Sequence, residues 1–502
     1  MERKKNGIRV RILTRTIINY TYSEKIQYLK KSMMKQISCA LTYIIATGCV
    51  LGGVVLHAAA APAEELSKPR VVRLDFTISQ EGSGSVLAAD VDGDSVREFV
   101  VTAPGHIGVY RIDGERVWHS EANIFFSGSR SGSLLPGLHA PGVQVADVDG
   151  DGAADLLFLD PSDTIHILDA RTGRERRAVR VVHPAGSDRW EALTVANLRG
   201  SGDRDLVLQT TAAKRYRVAH YVAAYAIDKL DGPPLWKKDN FGAPAHGPLR
   251  VADLDGDGRD EVCGFTILAA HGRPTDWRYP PIDKHYAGGA SFHIDSLFIA
   301  DVRPDVPGLE VVLLEEGRNY LALVNYRQGL LWWETNRRQE PQNAAVGEFD
   351  TNRPGLEIWC RSRYNTHQKP WVFDSQGRII SAYELDDLAP QDWTAEGVEE
   401  ITPIYWTGEK VQLAVAKERH TRGDVCLFEP IGGRFVARFR EQADRLYVAD
   451  VTGDWREEII VASGNELHVY ENPAKNPRPH QPRLWQQQHY RRSKMTWDYY
   501  SP

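Results

Sequence analysis

Four short segments of the 502-residue chain carry oxygen-bearing side chains at one common spacing. Each has an acid at its first position, further oxygen donors two and four residues later, and a closing acid eight residues after the first. Ca²⁺ prefers about six to eight oxygen ligands in a flexible geometry, so this spacing predicts calcium loops. The residues concerned are Asp90, Asp92, Asp94 and Glu98; Asp147, Asp149, Asp151 and Asp155; Asp253, Asp255, Asp257 and Glu261; and Asp450, Thr452, Asp454 and Glu458.

The loops have the composition of a tight turn. Side chains at alternate positions of such a turn can point inward together, and the intervening Gly93, Gly150 and Gly256 permit the bend. An EF-hand is excluded, because its closing Glu stands at the twelfth loop position between two helices. A solvated acidic turn is the alternative for any single loop. Four copies at regular spacing favour bound calcium.

Weaker copies of the same segment begin at Asn197, Asp301 and Glu348, and a worn copy with no acidic loop lies in ITPIYWTGEKVQLAVA. Together they make eight units of about 50 residues, a period typical of a radial or solenoid array. The copy at Asn197 and the worn copy have lost ligands and are expected to hold no metal. In the copies at Asp301 and Glu348 one inserted residue displaces the closing acid, which leaves their metal sites doubtful.

The elements that must hold these loops are short β-strands. An apolar strand precedes and follows each loop, and further strands end in Trp118, Trp236 and Trp332. Four strands per unit are typical of a propeller blade, so the chain predicts an all-β propeller with eight blades, or seven as the alternative. A lone strand over 70–76 is expected to close the ring by joining the last blade.

The acidic repeat resembles the FG-GAP (VCBS) type of propeller, and a longer stretch is similar to the propeller of family eleven rhamnogalacturonan lyases. That family shows a His before an acidic strand, then a His- and Asp-containing turn, then a Pro-rich run. These features fall on His246, on His293 and Asp295, and on Asp301, Pro304, Pro307, Gly308, Glu310 and Val311. The chain departs from the family at Phe292 and Ile294, where the family has Gly, and shows no counterpart of its N-terminal β domain.

The resemblance implies a polysaccharide lyase acting by β-elimination on a uronate glycan. Such a reaction needs a base and a cation that neutralises the uronate carboxylate. By role we assign His293 or His246 as base, Arg363 as carboxylate clamp and Tyr364 as acid. Segments on the propeller face opposite the acidic loops add the substrate-binding candidates His139, Asp295, Trp190, Arg189 and Tyr320. The alternative function is a non-catalytic propeller for adhesion, glycan binding or protein binding.

The N-terminus has the order of a secretory signal. Lys30, Lys31 and Lys35 precede an apolar run over 37–56 and a small-residue region over 58–63. This predicts export to the periplasm or the medium, with an uncleaved membrane anchor as the alternative. The expected organisation is an extension and signal over 1–63, a propeller over 64–474 and a tail over 475–502, whose position the sequence leaves open.

Charge limits the partners. The first 63 residues carry ten Lys or Arg and two acids, +8 of a total of −6, which leaves −14 for the remainder. A nucleic-acid binder would need a basic footprint, so none is expected. The sequence favours a monomer that binds Ca²⁺ and a glycan and meets a membrane only through an uncleaved signal.

Overall fold

A computed structural model describes residues 68–502 except 80–81, 127–138, 188, 212–220, 240, 245, 278–293, 316–319, 336–340, 363–368, 391–392, 394–397, 419–420 and 499. The described chain is nearly all β-structure, in eight antiparallel sheets of consecutive strands. The predicted eight-bladed propeller is confirmed, and the seven-bladed alternative is excluded. The signal segment lies outside the described residues.

The first four blades follow the chain from its second strand. Blade 1 contains β2 (Val86–Ala89), β3 (Glu98–Ala103), β4 (Gly105–Tyr110) and β5 (Arg116–Ala122). Blade 2 contains β6 (Val143–Ala146), β7 (Asp155–Leu159), β8 (Thr164–Asp169) and β9 (Glu175–Arg180). Blade 3 contains β10 (Arg189–Ala196), β11 (Asp205–Thr211), β12 (Tyr221–Ala226) and β13 (Trp236–Asp239). Blade 4 has three described strands, β14 (Arg250–Ala252), β15 (Glu261–Cys263) and β16 (Ile267–Leu268).

The second half repeats the pattern. Blade 5 contains β17 (Ile294–Ala300), β18 (Glu310–Glu315), β19 (Tyr320–Asn325) and β20 (Gly329–Thr335). Blade 6 contains β21 (Pro341–Gly347), β22 (Glu357–Ser362), β23 (Pro370–Phe373) and β24 (Ile379–Ala382). Blade 7 contains β25 (Glu400–Ile404), β26 (Leu413–Lys417), β27 (Gly423–Glu429) and β28 (Arg434–Ala443). Blade 8 contains β29 (Arg445–Ala449), β30 (Glu458–Ser463), β31 (Glu466–Tyr470) and β1 (Arg70–Arg73).

The ring is closed by its first strand. β1 (Arg70–Arg73) pairs antiparallel with β31, so that Arg70 lies opposite Val469 and Arg73 opposite Glu466. Blade 8 therefore combines strands from both ends of the propeller. Such a closure ties the first and last blades together through backbone hydrogen bonds and confirms the role expected for the lone strand.

Three predicted tryptophans join neighbouring blades. The indole N–H of Trp118 in β5 donates to the carbonyl of Ala170 in blade 2 at 2.7 Å. Trp236 reaches Ala270 of blade 4 at 2.8 Å, and Trp332 reaches Ser375 of blade 6 at 3.0 Å. Each bond crosses from the outermost strand of one blade to a turn of the next. The apolar clusters of the core likewise bring together residues of adjacent blades.

The C-terminal segment fills the centre of the ring. We call Leu484–Pro502 the plug. It begins with a 3-10 turn (Leu484–Gln486) and continues as a helix (Gln488–Met495), the second α-helix of the described chain after Leu385–Leu388. An eight-bladed ring leaves a central channel, and this segment occupies it.

Hydrogen bonds tie the plug to innermost strands around the ring. Trp497 donates its indole N–H to Val86 of blade 1 at 3.0 Å. Gln144 of blade 2 donates to the Met495 carbonyl at 2.8 Å, and Arg492 reaches Val195 of blade 3 at 2.8 Å. The tail, whose place the sequence left open, is thus an integral part of the propeller. Ala63–Pro502 accordingly forms one compact unit.

Cys263, Cys360 and Cys426 are buried free thiols. Within the described ranges no helix is both long and apolar enough to cross a membrane.

Candidate functional sites

The propeller has two faces, which we name by what they carry. Each innermost strand begins on the entry face and ends on the loop face, where the acidic loops lie. Blade 1 shows the order of the elements: β2 ends at Ala89, the acidic loop follows, and β3 begins at Glu98. The predicted calcium residues therefore lie on the loop face. The candidates for glycan chemistry lie at the starts of innermost strands, on the entry face.

Three of the four predicted calcium loops gather their acids. In the first loop, oxygen atoms of Asp90, Asp92 and Asp94 lie within 4.8 Å of one another. The second loop gathers Asp147, Asp149 and Asp155, and the third gathers Asp253, Asp255 and Glu261. Asp151 and Asp257 stand in the same turns, where their Oδ1 atoms accept N–H groups of Ala153 and Arg259.

The first acid of each loop shapes the turn. Asp90 accepts the N–H groups of Gly93 and Ser95 at 2.7 and 3.0 Å. In the second and third predicted loops, Asp147 and Asp253 accept the N–H groups at the corresponding positions. The central glycines have positive φ, +84° at Gly93, which favours glycine. The sequence thus builds the same backbone cradle three times.

The closing acid has a second role that sequence reasoning missed. Glu98 is fully buried, and its Oε2 accepts the N–H of Val91 at 3.0 Å. Glu261 likewise accepts the N–H of Leu254 at 2.9 Å, and Glu458 accepts the N–H of Val451 at 2.7 Å. Burial raises the pKa of Glu98 to about 7 and that of Glu261 to about 8. The second oxygen of Glu98 has no hydrogen-bond partner among the described residues.

Arginines enter two of these cages. Arg176 Nη1 lies 3.4 Å from Asp149, 3.2 Å from Asp151 and 3.2 Å from Asp155. Arg111 lies 2.6 Å from Asp92 in the first loop. A guanidinium beside several carboxylates offsets their mutual repulsion. The negative charge of the second loop is therefore the most fully compensated among the three loops.

The eighth-blade loop differs from the other predicted loops. Asp450 is contacted by Arg97 at 3.5 Å and by Arg483 at 3.2 Å. Arg456 holds Asp454 at 2.7 Å, and the Thr452 hydroxyl donates to Glu458 at 2.8 Å. The acids of this loop are thus paired with arginines and a hydroxyl rather than gathered around one point.

The entry face carries a buried histidine and carboxylate. His246 Nε2 lies 2.9 Å from Asp295 Oδ1, and the two side chains are 4% and 0% exposed. The Tyr500 ring of the plug lies against His246, with ring centroids 4.4 Å apart. Asp295 belongs to β17, whereas His246 precedes β14. Adjacent blades therefore bring together two residues that stand 49 positions apart.

The other entry-face candidates have varied settings. His139 is buried, and Arg189 pairs with Glu191 at 2.8 Å with its guanidinium over the Phe125 ring. Trp190 is 1% exposed and donates its indole N–H to Val181 at 2.5 Å. Its ring therefore belongs to the core and presents no open face to a sugar. Tyr320 is the first residue of β19. His293, Arg363 and Tyr364 lie outside the described residues.

A buried ionic cluster near these candidates was not foreseen. Arg361 bonds Glu399 at 2.6 Å and Asn343 at 3.0 Å. Lys417 lies 3.9 Å from Glu400, and both side chains are fully buried. Burial raises the pKa of Glu400 to about 7 and lowers that of Lys417. Charged residues inside predicted strands were the available signal, because such residues are seldom buried unless paired.

Comparison with known proteins gives the chain its relatives. Residues 90–158 match an FG-GAP-like repeat, and residues 237–501 match Rhamnogalacturonan lyase family 11, C-terminal domain. Rhamnogalacturonan endolyase YesW of Bacillus subtilis (strain 168) is 22% identical over 450 residues, covering 76% of this chain and 66% of that protein. Rhamnogalacturonan exolyase YesX of the same organism is 23% identical over 450 residues, covering 76% and 69%. The chain thus spans about two thirds of the length of these curated relatives.

A solved structure shares the fold. Quinohemoprotein alcohol dehydrogenase ADHIIG from Pseudomonas putida HK5 matches with a TM-score of 0.52 and 10% identity, covering 82% of this chain and 77% of that one. At such low identity the likeness concerns the propeller architecture alone. The family match, by contrast, extends over more than half of the sequence. This chain therefore belongs to rhamnogalacturonan lyase family 11.

Proposed function

We propose that this chain is an exported, calcium-binding enzyme that cleaves a uronate polysaccharide by β-elimination, in the manner of a rhamnogalacturonan lyase. The observation that carries the proposal is the buried pair of His246 and Asp295 on the entry face, 2.9 Å apart. Membership of the family supplies the substrate class. The two curated relatives named as rhamnogalacturonan lyases support the same reaction.

The pair suits proton abstraction. β-Elimination removes the proton α to a uronate carboxylate and expels the glycosidic oxygen from the β carbon. A carboxylate beside Nε2 favours the His246 tautomer protonated at that nitrogen, which leaves Nδ1 to accept the substrate proton. Asp295 also stabilises the imidazolium that results. His246 is thus the proposed base, and Asp295 orients it.

The remaining roles are proposed from the sequence. Arg363 would neutralise the uronate carboxylate, since a cation there makes the α proton more acidic. Tyr364 would protonate the leaving oxygen, and His293 is the second candidate base. Arg361 is bonded to Glu399 and Asn343, so it is the less suitable clamp of the two arginines.

A non-catalytic glycan-binding propeller is the second candidate. It is favoured by the burial of His246, which is 4% exposed and covered by Tyr500. A base so enclosed requires a movement before it meets a polysaccharide. The same face would still bind sugar without cleaving it.

The test is a lyase assay on rhamnogalacturonan, pectin and ulvan, which follows the ultraviolet absorbance of the unsaturated uronate product. We expect turnover in the native chain and a loss of at least about a hundredfold in His246→Ala, the scale of general base catalysis. Asp295→Asn should lose less and should shift the pH profile. A flat trace on every glycan, with a folded protein that still binds glycan, would establish the second candidate.

The calcium part of the proposal rests on the first, second and third of the predicted loops, which begin at Asp90, Asp147 and Asp253. The donor sets fit the ion, because each loop gathers three carboxylates and Glu98 holds a further buried oxygen without a hydrogen-bond partner among the described residues. Calcium bound there would hold the turns of the loop face, far from the proposed base. We expect calcium to raise the melting temperature and chelator to lower it. Glu98→Gln should weaken the effect, whereas Asp454→Asn, in the arginine-paired loop, should leave it unchanged.

Export is proposed from the charged, apolar and small-residue order before residue 64. The full chain should appear outside the cytoplasm with its N-terminus cleaved near residues 58–63. Cell fractionation and N-terminal sequencing of the recovered protein test this. Retention in the cytoplasm would refute export, and an intact N-terminus in the membrane fraction would establish the anchor instead.

A further inference from the structure

A cavity of about 490 Å³ lies in the central channel, on the loop face. One wall is the plug, with His489, Ser493 and Lys494. The opposite wall comes from the ends of the innermost strands of blades 5 to 7, with Asp301 and Thr402 among its residues. The cavity is therefore separate from His246 and Asp295, which lie at the starts of their strands. Its volume matches a small-molecule site.

The most unusual group in this cavity is an ammonium. Lys494 is 6% exposed, and the described residues give its Nζ neither a hydrogen bond nor an ion pair within 4.0 Å. The nearest rings are those of Tyr447 and Tyr490, whose centroids lie 5.6 and 5.3 Å from Nζ. A buried amine without an acceptor is costly, so a ligand oxygen in the cavity would relieve it.

Other polar groups face the same space with hydrogen-bonding capacity left over. The hydroxyls of Thr402 and Tyr405, the carboxylate of Asp301 and the imidazole of His489 make no side-chain hydrogen bond to the described residues. Gln412 uses its Oε1 to accept from Glu348 at 2.8 Å, which leaves its amide N–H₂ group available. Donors and acceptors thus alternate around one cavity.

The cavity lining also includes an aromatic ring and charged groups of both signs. One side of the Tyr405 ring packs on Trp455, with centroids 5.4 Å apart, and the rest of the side chain lines the cavity. Acidic groups (Asp301, Glu457) and basic groups (Arg250, Lys494) are balanced in the lining. A strongly charged ligand therefore gains little, whereas a polyhydroxylated one can use donors, acceptors and an aromatic surface together.

We propose that this cavity is a carbohydrate-binding subsite for one or two sugar rings, distinct from the proposed catalytic face. Lys494 donates to a ring or hydroxyl oxygen, Asp301 accepts from hydroxyls, and Tyr405 contributes both ring and hydroxyl. The subsite does not depend on whether the chain cleaves glycans. It would give the propeller a second polysaccharide-binding site, at the end of the channel opposite the proposed catalytic face.

The test is saturation-transfer NMR and calorimetry on the full chain with rhamnose, galacturonate, galactose and short rhamnogalacturonan oligosaccharides. We expect binding of at least one sugar, weakened about tenfold in the double variant Thr402→Val and Tyr405→Phe, because two hydrogen bonds are lost at little change of shape. Tyr225→Phe removes a hydroxyl remote from the cavity and should leave binding unchanged.

Two results would overturn the subsite. One is the absence of binding for every sugar by the folded native chain. The other is equal binding by the native chain and the double variant, with unchanged melting temperatures. In that case the sugar sits on the entry face. A lyase assay run beside these titrations separates failure of the subsite from failure of the proposed catalysis.

Discussion

The ring of Tyr500, the third residue from the end of the sequence, packs on the imidazole of His246, with centroids 4.4 Å apart. The backbone carbonyl of the same tyrosine accepts a hydrogen bond from Ser296 at 2.5 Å. The plug therefore couples the centre of the ring to the proposed base. The plug, which follows the last repeat in the sequence, is thus part of the candidate active site.

Tyr500→Ala should destabilise the protein by about 3 kcal/mol, the scale of removing a buried aromatic side chain. Tyr500→Phe keeps the ring and should cost far less. Urea unfolding of the two variants measures the difference. If both variants matched the native chain in stability, the packing of the plug on His246 would contribute nothing to folding.

Gly173→Ala tests the contact between blades 1 and 2. A Cβ at Gly173 would lie 2.6 Å from the Trp118 ring, and the backbone has a φ of +69°. We expect a loss of about 1–3 kcal/mol from overpacking and backbone strain together. Gly152→Ala is the matched control, since its φ is +86° and its Cβ would meet nothing within 4 Å. Equal losses of stability in the two variants, measured by thermal unfolding, would show that the Trp118 indole moves aside without a measurable cost.

Lys417→Met should destabilise the protein by about 3–5 kcal/mol, because it removes the main cationic partner of the buried Glu400. The double variant Lys417→Met and Glu400→Leu should recover most of that loss, since an apolar pair of similar volume needs no charge compensation. Chemical denaturation of the single and double variants gives the comparison. A double variant as unstable as the single one would assign the loss to packing instead.

His468 predicts a pH-dependent stability. Hydrogen bonds to Glu441, followed by those to Glu466, raise the pKa of His468 in the folded protein. A raised folded pKa means that its stabilisation is complete below the unfolded value of about 6.5 and is lost as the pH rises through the folded value. The stability difference between native protein and His468→Gln should therefore shrink from pH 6 to pH 9. A difference that stays constant over this range would exclude a charged His468.

Arg176→Gln should strengthen calcium binding in the second loop by about five- to tenfold, because a positive charge close to three carboxylates competes with the ion. Arg174→Gln is the control, since Arg174 is exposed in the same turn without an ion pair to the loop in the described structure. Calorimetric titration with calcium measures both. Identical titrations of the two variants would show that Arg176 moves out of the cage without cost.

The fold was largely predictable because its signals are local. A repeat of about 50 residues, short apolar strands and glycines in the acidic turns are set by near neighbours along the chain, and these predicted the blades and the closure by β1. The acid spacing likewise predicted the three turns, beginning at Asp90, Asp147 and Asp253, in which carboxylates gather. It could not reveal that Arg97 and Arg483 contact Asp450, because those arginines come from distant positions.

The tertiary structure decided which residues meet. His246 and Asp295 become a pair because blades 4 and 5 are adjacent in the ring, and Lys494 faces a cavity because the plug enters the channel. Trp190, an exposed sugar platform by sequence, lies in the core because blades 2 and 3 close over it. Such contacts depend on how the ring closes and what fills its centre. Residue spacing along the chain predicts neither the closure of the ring nor the segment that fills its centre.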